Sequence, residues 1–105
     1  MTPLEILKAA RALITDPQHW TQGMNARDLA GGWVQFNDPT AVAWCGLGAL
    51  SAACEQWDEI AYEHLLAQCQ EDGGGVCNIN DTFGHAYILA AYDRAIAKLE
   101  GSPHE

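Results

Sequence analysis

Residues 42–54 read Val42-Ala43-Trp44-Cys45-Gly46-Leu47-Gly48-Ala49-Leu50-Ser51-Ala52-Ala53-Cys54, and how they fold decides the architecture. Ala43, Leu47, Leu50, Cys54 and, one turn on, Trp57 recur at helical spacing and make one apolar stripe. Val42, Cys45, Gly46, Ala49, Ala52 and Ala53 make a second stripe, of small side chains. A helix with so little polarity on any side belongs at the centre of the fold. Asp38-Pro39 offers a cap followed by a proline at the first helical position, so this helix is predicted to run from there to about Trp57. Gly46 and Gly48 each cost about 1 kcal/mol relative to Ala inside a helix. Their presence reads as a groove for the close approach of a neighbouring helix.

The flanking segments supply partners for that helix. Thr2, Pro3 and Glu5 form a capping box with a first-turn proline, and Ile6, Leu7, Ala10, Leu13 and Ile14 give one buried stripe. Asp16-Pro17 ends this first helix, because a residue before proline is pushed out of helical geometry. From Gln18 to Phe36 the pattern is irregular: Ala30-Gly31-Gly32 interrupts it, and Trp33-Val34-Gln35-Phe36 has local strand character. Trp20 and Trp33 are expected to be lids over the core. A third helix is predicted to start at Asp58, with Tyr62, Leu65, Leu66 and Cys69 inside, and to stop at Gly73-Gly74-Gly75. Val76 to Ile79 is expected to be a short, extended connector. The last helix is predicted to be capped by Asp81 or Thr82, burying His85, Ile88, Leu89, Tyr92, Ala95, Ile96 and Leu99 and turning Asp93, Arg94 and Lys98 outward. The expectation is a mainly α, compact single domain over 1–105, of about four helices, with a short β-hairpin or irregular ribbon after the first and a frayed tail at 101–105.

Fourteen acidic residues against five basic ones give a net charge of −9. Such a surface repels phosphate backbones, which argues against direct nucleic-acid binding and suits a basic protein partner. No apolar run reaches the roughly 18 residues of a membrane span, and the N-terminus lacks a signal-peptide pattern, so a cytoplasmic location and no membrane partner are expected. Cys45, Cys54, Cys69 and Cys77 are then expected to stay reduced, and none stands in a C-x-x-C pair.

Three blocks carry a resemblance. They are Ala12-Leu13-Ile14-Thr15-Asp16-Pro17 with Trp20-Thr21-Gln22-Gly23 and Ala26-Arg27-Asp28; Asp38-Pro39, Ala41-Val42, Trp44-Cys45 and Leu47-Gly48-Ala49-Leu50; and Asn80-Asp81, His85-Ala86 and Asp93-Arg94-Ala95-Ile96. With these blocks in this order, the chain resembles a family of small bacterial and phage proteins of unknown function. The resemblance implies a compact, mainly helical fold and assigns no activity.

Cys45 and His85 are the constellation suited to covalent chemistry. A cysteine nucleophile needs a lowered thiol pKa, His85 would serve as base, and Asn80 or Asp81 would orient its ring. Yet Cys45 is predicted about two turns into its helix, past the reach of the helix dipole, and cysteine is among the most buried residue types. A helix–helix seam in which Cys45 and His85 meet is the favoured reading; a cysteine-dependent hydrolase or transferase is the alternative. Asn80-Asp81 suits a cap or turn. A metal site from His64, Cys69, Cys77 and His85 is disfavoured, since His64 and Cys69 lie five apart on a helix, and no cofactor or metal is expected. Glu55, Asp58, Glu59, Glu63, Glu71 and Asp72 cluster on and around the third helix, and Arg27-Asp28 makes an ion pair, a binding surface or a fork onto backbone carbonyls. The function expected first is an acidic protein-interaction or regulatory module for a basic partner, such as a phage-borne inhibitor of a host nucleic-acid-binding complex.

Overall fold

Thr2 opens helix α1 (Pro3–Leu13) through a full capping box: its hydroxyl accepts the Glu5 N–H at 3.1 Å, and the Glu5 carboxylate accepts the Thr2 N–H at 2.8 Å. These distances come from a computed structural model, which describes residues 1–101. Ile6, Leu7, Ala10 and Ile14 are buried as their spacing predicts. Asp16 then caps a single 3-10 turn, Pro17–His19, by accepting the Gln18 N–H.

Three two-residue strands follow: β1 (Ala26–Arg27), β2 (Trp33–Val34) and β3 (Ala43–Trp44). They form an antiparallel sheet in the order β2-β1-β3, with Ala26 opposite Val34 and Trp44, and Arg27 opposite Trp33 and Ala43. The β1–β2 turn is closed by Asp28, whose carboxylate accepts the N–H groups of Ala30 and Gly32 at 3.0 and 2.8 Å. Trp20 adds a parallel bridge to Trp44 and packs on the core, whereas Trp33 is 59% exposed and covers nothing, contrary to its expected role as a lid.

The central helix is half the predicted length. Helix α2 spans only Gly46–Ala53. Asp38-Pro39 does not start it: the Asp38 carboxylate accepts the N–H and hydroxyl of Thr40, and its carbonyl accepts the Ala41 N–H, closing a turn with proline at its second position. Asp followed by Pro reads alike for a helix start and for this turn. Pairing decides between them, because Val42 N–H reaches the Arg27 carbonyl and Ala43–Trp44 completes the sheet.

The small-residue stripe does receive close neighbours. A Cβ on Gly46 would strike the Ile88 side chain, and one on Gly48 would run into the backbone carbonyl of Asn25. Only the first neighbour is a helix; the second is the loop entering β1.

Helix α3 (Glu59–Glu71) is capped by Asp58, which accepts the Ala61 N–H at 2.9 Å. It ends at Gly73, whose φ of +107° lies in the region that only glycine adopts freely. Arg94 is only partly turned to solvent. It donates to Asp72 Oδ2 at 2.7 Å and to the Gln68 carbonyl at 3.2 Å, placing a cation at the negative end of α3. The expected extended connector is helical instead: one turn, α4 (Val76–Asn78), runs into a π-helical turn, Ile79–Phe83, closed by the Gly84 N–H on the Ile79 carbonyl. Gly84, at φ +101°, separates that turn from helix α5 (His85–Gly101), so neither Asp81 nor Thr82 caps the last helix. Helix α5 buries Ile88, Ala91, Tyr92 and Ala95 against α1 and α3, in one core shared by the four longer helices. Of the frayed tail expected at 101–105, Gly101 is instead the last residue of α5, and 102–105 lie outside the described residues.

Substituting Gly48→Ala forces backbone apart and should cost about 1–3 kcal/mol or more in denaturant unfolding. Gly75→Ala, with open space around its Cβ and φ of −81°, should be close to neutral and serves as the control.

Candidate functional site

The polar centre of the molecule is Asn80, whose side chain is fully buried and fully bonded. The π-helical turn aims it inward. Its Oδ1 accepts the Trp20 indole N–H at 2.7 Å and the Gly46 N–H at 2.9 Å. Its Nδ2 donates to the Thr21 carbonyl at 3.0 Å and to Asp81 Oδ1 at 2.8 Å. Two donors on one side and two acceptors on the other fix the orientation of the amide. Asp81 Oδ1 also accepts the Gly23 N–H, and the Gln22 amide donates to the carbonyls of Asn80 and Asp81. The Thr21 N–H meanwhile reaches the Trp44 carbonyl at 3.1 Å. Trp20-Thr21-Gln22-Gly23, Trp44-Cys45-Gly46 and Asn80-Asp81, far apart in sequence, thus meet at one point. Tyr92 closes the cluster from α5 by donating its buried hydroxyl to the Gly46 carbonyl at 2.7 Å.

Cys45 is the N-cap of α2, not a residue two turns inside it. Its sulfur accepts the Gly48 N–H at 3.2 Å and lies 3.9 Å from Asn25 Oδ1. Burial pushes the thiol pKa up, and the Gly48 and Leu47 N–H groups only partly counter that. His85 is half-buried elsewhere in the network. Its Nε2 lies 2.7 Å from the Ile14 carbonyl, which only accepts, so Nε2 carries the proton and donates. The ring leans on Trp20, with centroids 5.0 Å apart. Among the described residues no hydrogen bond joins Cys45 to His85, and the side chains of Asn80 and Asp81 are directed to the Trp20–Gly23 segment rather than to the imidazole. What these four groups do in this geometry is hold three chain segments together.

All four cysteines are free. Burial raises the Cys69 thiol to about 11, with the Asp72 carboxylate adding to the shift. No set of three His, Cys, Asp or Glu side chains among the described residues is arranged to hold a metal ion. No helix among them is long and apolar enough to cross a membrane.

The acidic residues divide into two groups. Asp72 pairs with Arg94 at 2.7 Å and is partly covered by α5, whereas Glu71, 3.9 Å from Lys98, stays largely exposed. Asp58 serves as a cap. Glu55, Glu59 and Glu63 have no basic partner among the described residues. Trp57 and Met1, 48% and 65% exposed, line one cavity with Glu55 and Asp58, an apolar feature that the sequence reading missed, while Ile60 lines a separate hollow with Glu63 and His64. Trp57 is exposed because α2 stops at Ala53, before the helical phase can carry the indole inward. It is held there on two sides: its N–H donates to Glu59 Oε2 at 2.9 Å, and its ring packs on Tyr62 at 5.4 Å. Beside it opens a cavity of about 510 Å³ lined by Met1, Ile6, Glu55, Gln56, Trp57 and Asp58. Arg27 and Asp28 form no ion pair. Arg27 forks onto the carbonyls of Gln18 and Asp28, and Asp28 closes its turn.

Residues 1–98 match the family of unknown function DUF6197, and the chain belongs to that family. Comparison with curated proteins and with solved structures gave no match.

Asn80→Ala strands two buried N–H donors and a carbonyl, and should destabilise the fold by about 3 kcal/mol or more. Asn80→Asp should be at least as harmful at neutral pH, because a second carboxylate would face Asp81 and the Thr21 carbonyl. The native state favours the neutral acid there, so its pKa is raised and the penalty should shrink as pH falls; thermal melts across pH check the sign. In pH-resolved iodoacetamide labelling, exposed Cys77 should react first, and Cys45 and Cys69 only on a time course matching unfolding. Fast labelling of Cys45 in the folded protein would instead support the nucleophile reading.

Proposed function

We propose that this protein is an interaction module that binds a basic segment of a protein partner on the face built by Trp57 and Met1 and rimmed by Glu55, Asp58 and Glu59. The observation carrying the reading is the held, half-exposed indole of Trp57 beside its cavity, in a setting where Glu55, Glu59 and Glu63 lack an internal counter-charge. A rigid aromatic anchor next to a pocket is the usual form of a binding hot spot, since fixing it beforehand reduces the entropy lost on association. The unneutralised carboxylates add attraction for lysine and arginine and speed the encounter. The net charge of −9 disfavours a nucleic acid as the direct ligand and leaves a basic, nucleic-acid-binding protein as a fitting partner.

The cysteine hydrolase or transferase reading is second. Its supporting observation is that Cys45 occupies a helix N-terminus, where a thiolate is favoured; the raised thiol pKa and the absence of a hydrogen bond to His85 weigh against it.

A synthetic Lys/Leu amphipathic peptide provides a defined probe. Titrated against labelled protein, it should shift the amide signals of Glu55, Gln56, Trp57 and Asp58 together with the Trp57 indole. Its affinity should fall by about tenfold between about 0.05 M and about 0.3 M salt. Glu55→Lys with Glu59→Lys should weaken binding by a similar factor, and Trp57→Ala should weaken it by about tenfold or more. Shifts scattered over the whole surface, or binding indifferent to those changes, would defeat the assignment of this face.

A further inference from the structure

We infer that the hollow beside Arg27 is a binding site for a small organic monocarboxylate carrying an apolar group. Arg27 lies on β1, the middle strand of the sheet, and two of its five N–H donors are used, on the carbonyls of Gln18 at 2.9 Å and Asp28 at 3.3 Å. Lys8, Arg11, Arg94 and Lys98 each meet a carboxylate, at 2.9, 2.8, 2.7 and 3.9 Å respectively. Among the described residues Arg27 is the one basic side chain that meets none, although acidic residues outnumber basic ones 14 to 5. A half-buried guanidinium with no carboxylate of its own chain against it is an uncompensated positive charge at a fixed place.

That place is a cavity. About 430 Å³ opens between Gln18, His19, Arg27, Leu29 and Val42, within the size range of small-ligand sites. Its two carbonyl bonds hold the planar guanidinium of Arg27 in place and leave three of its N–H donors unused, the donor type that carboxylates pair with. Leu29, 87% exposed at the tip of the β1–β2 turn, and Val42 supply an apolar wall for the rest of the ligand, while His19 and Gln18 offer further polar contacts. One guanidinium balances one negative charge, and the field of a chain at −9 penalises each further charge, which favours a monoanion over a multiply charged phosphate. This site is separate from the Trp57 face, and the two readings stand or fall independently.

Two probes separate the sources of such a group: hexanoate for a free acid, and N-acetyl-leucine for a peptide C-terminus. Either should give saturable amide shifts confined to residues 18–19, 27–29 and 42, and the tighter of the two names the source. Hexanol and inorganic phosphate should bind at least about tenfold more weakly. Leu29→Asp, at a fully accessible turn position, should leave the melting temperature unchanged and reduce affinity by about tenfold through loss of the wall and repulsion of the anion. Arg27→Gln should abolish binding; if that variant fails to fold, the Leu29→Asp comparison decides alone. No saturable shift with either carboxylate up to about 10 mM, equal binding of hexanol, or indifference to Leu29→Asp would overturn the assignment.

Discussion

The side chain of Asn80 is the constraint on which the rest of this small structure depends. It is the polar group in the core that touches three segments at once: the loop after α1, the first turn of α2 and the π-helical turn that carries it. A buried amide with every lone pair and proton matched contributes modest net stability, but a partner left over costs its full desolvation. The network therefore acts mainly as a register lock. It selects one arrangement of Trp20–Gly23 against α2 and rejects neighbouring ones, each of which would leave an indole N–H or a backbone amide without an acceptor. The π-helical turn is the local cost of presenting Asn80 and Asp81 to that loop, and the Gln22 side chain compensates by taking up the two carbonyls there.

The same lock explains why Cys45 and His85 sit where they do. Cys45 caps α2 within one residue of the Gly46 N–H that Asn80 accepts, and His85 steadies Trp20, whose indole Asn80 also accepts. Gly46 and Gly48 permit this crowding, since a methyl at either would meet Ile88 or the Asn25 backbone. Residues that look like a catalytic set when read by type are neighbours of one structural knot when read by contacts. Their hydrogen bonds are directed inward rather than to the outside of the molecule.

On that outside the disposition of charge is uneven. Four of the five basic side chains pair with carboxylates, and three of those pairs tie α5 to α1 or α3 directly: Arg11 to Asp93, Lys8 to Glu100 and Lys98 to Glu71. Exposed pairs of this kind contribute about 0–1 kcal/mol each, so their main effect is to sort the surface rather than to hold the fold. What remains is a carboxylate-rimmed apolar face around Trp57 at one place and an uncompensated guanidinium in a hollow at another. Both proposed sites are consequences of which charges the fold pairs internally.

The sequence alone determined the helical character, the capping box at Thr2, the stop at Asp16-Pro17, the Asp58 start and Gly73 stop of α3, and the buried stripe of α5, because each rests on interactions between residues a few positions apart. The need for close approach at Gly46 and Gly48 was legible too, though not which neighbour arrives. Tertiary structure alone decided the rest. Asp38-Pro39 became a turn because Ala43–Trp44 found β1, and that shortening moved Cys45 to a cap and Trp57 to the surface. Asn80-Asp81, readable as a helix cap, became the core lock because its partners lie about 35 and 60 residues away. Such partners leave no periodicity in the chain: a hydrogen bond between distant segments is specified by geometry after folding, not by spacing before it.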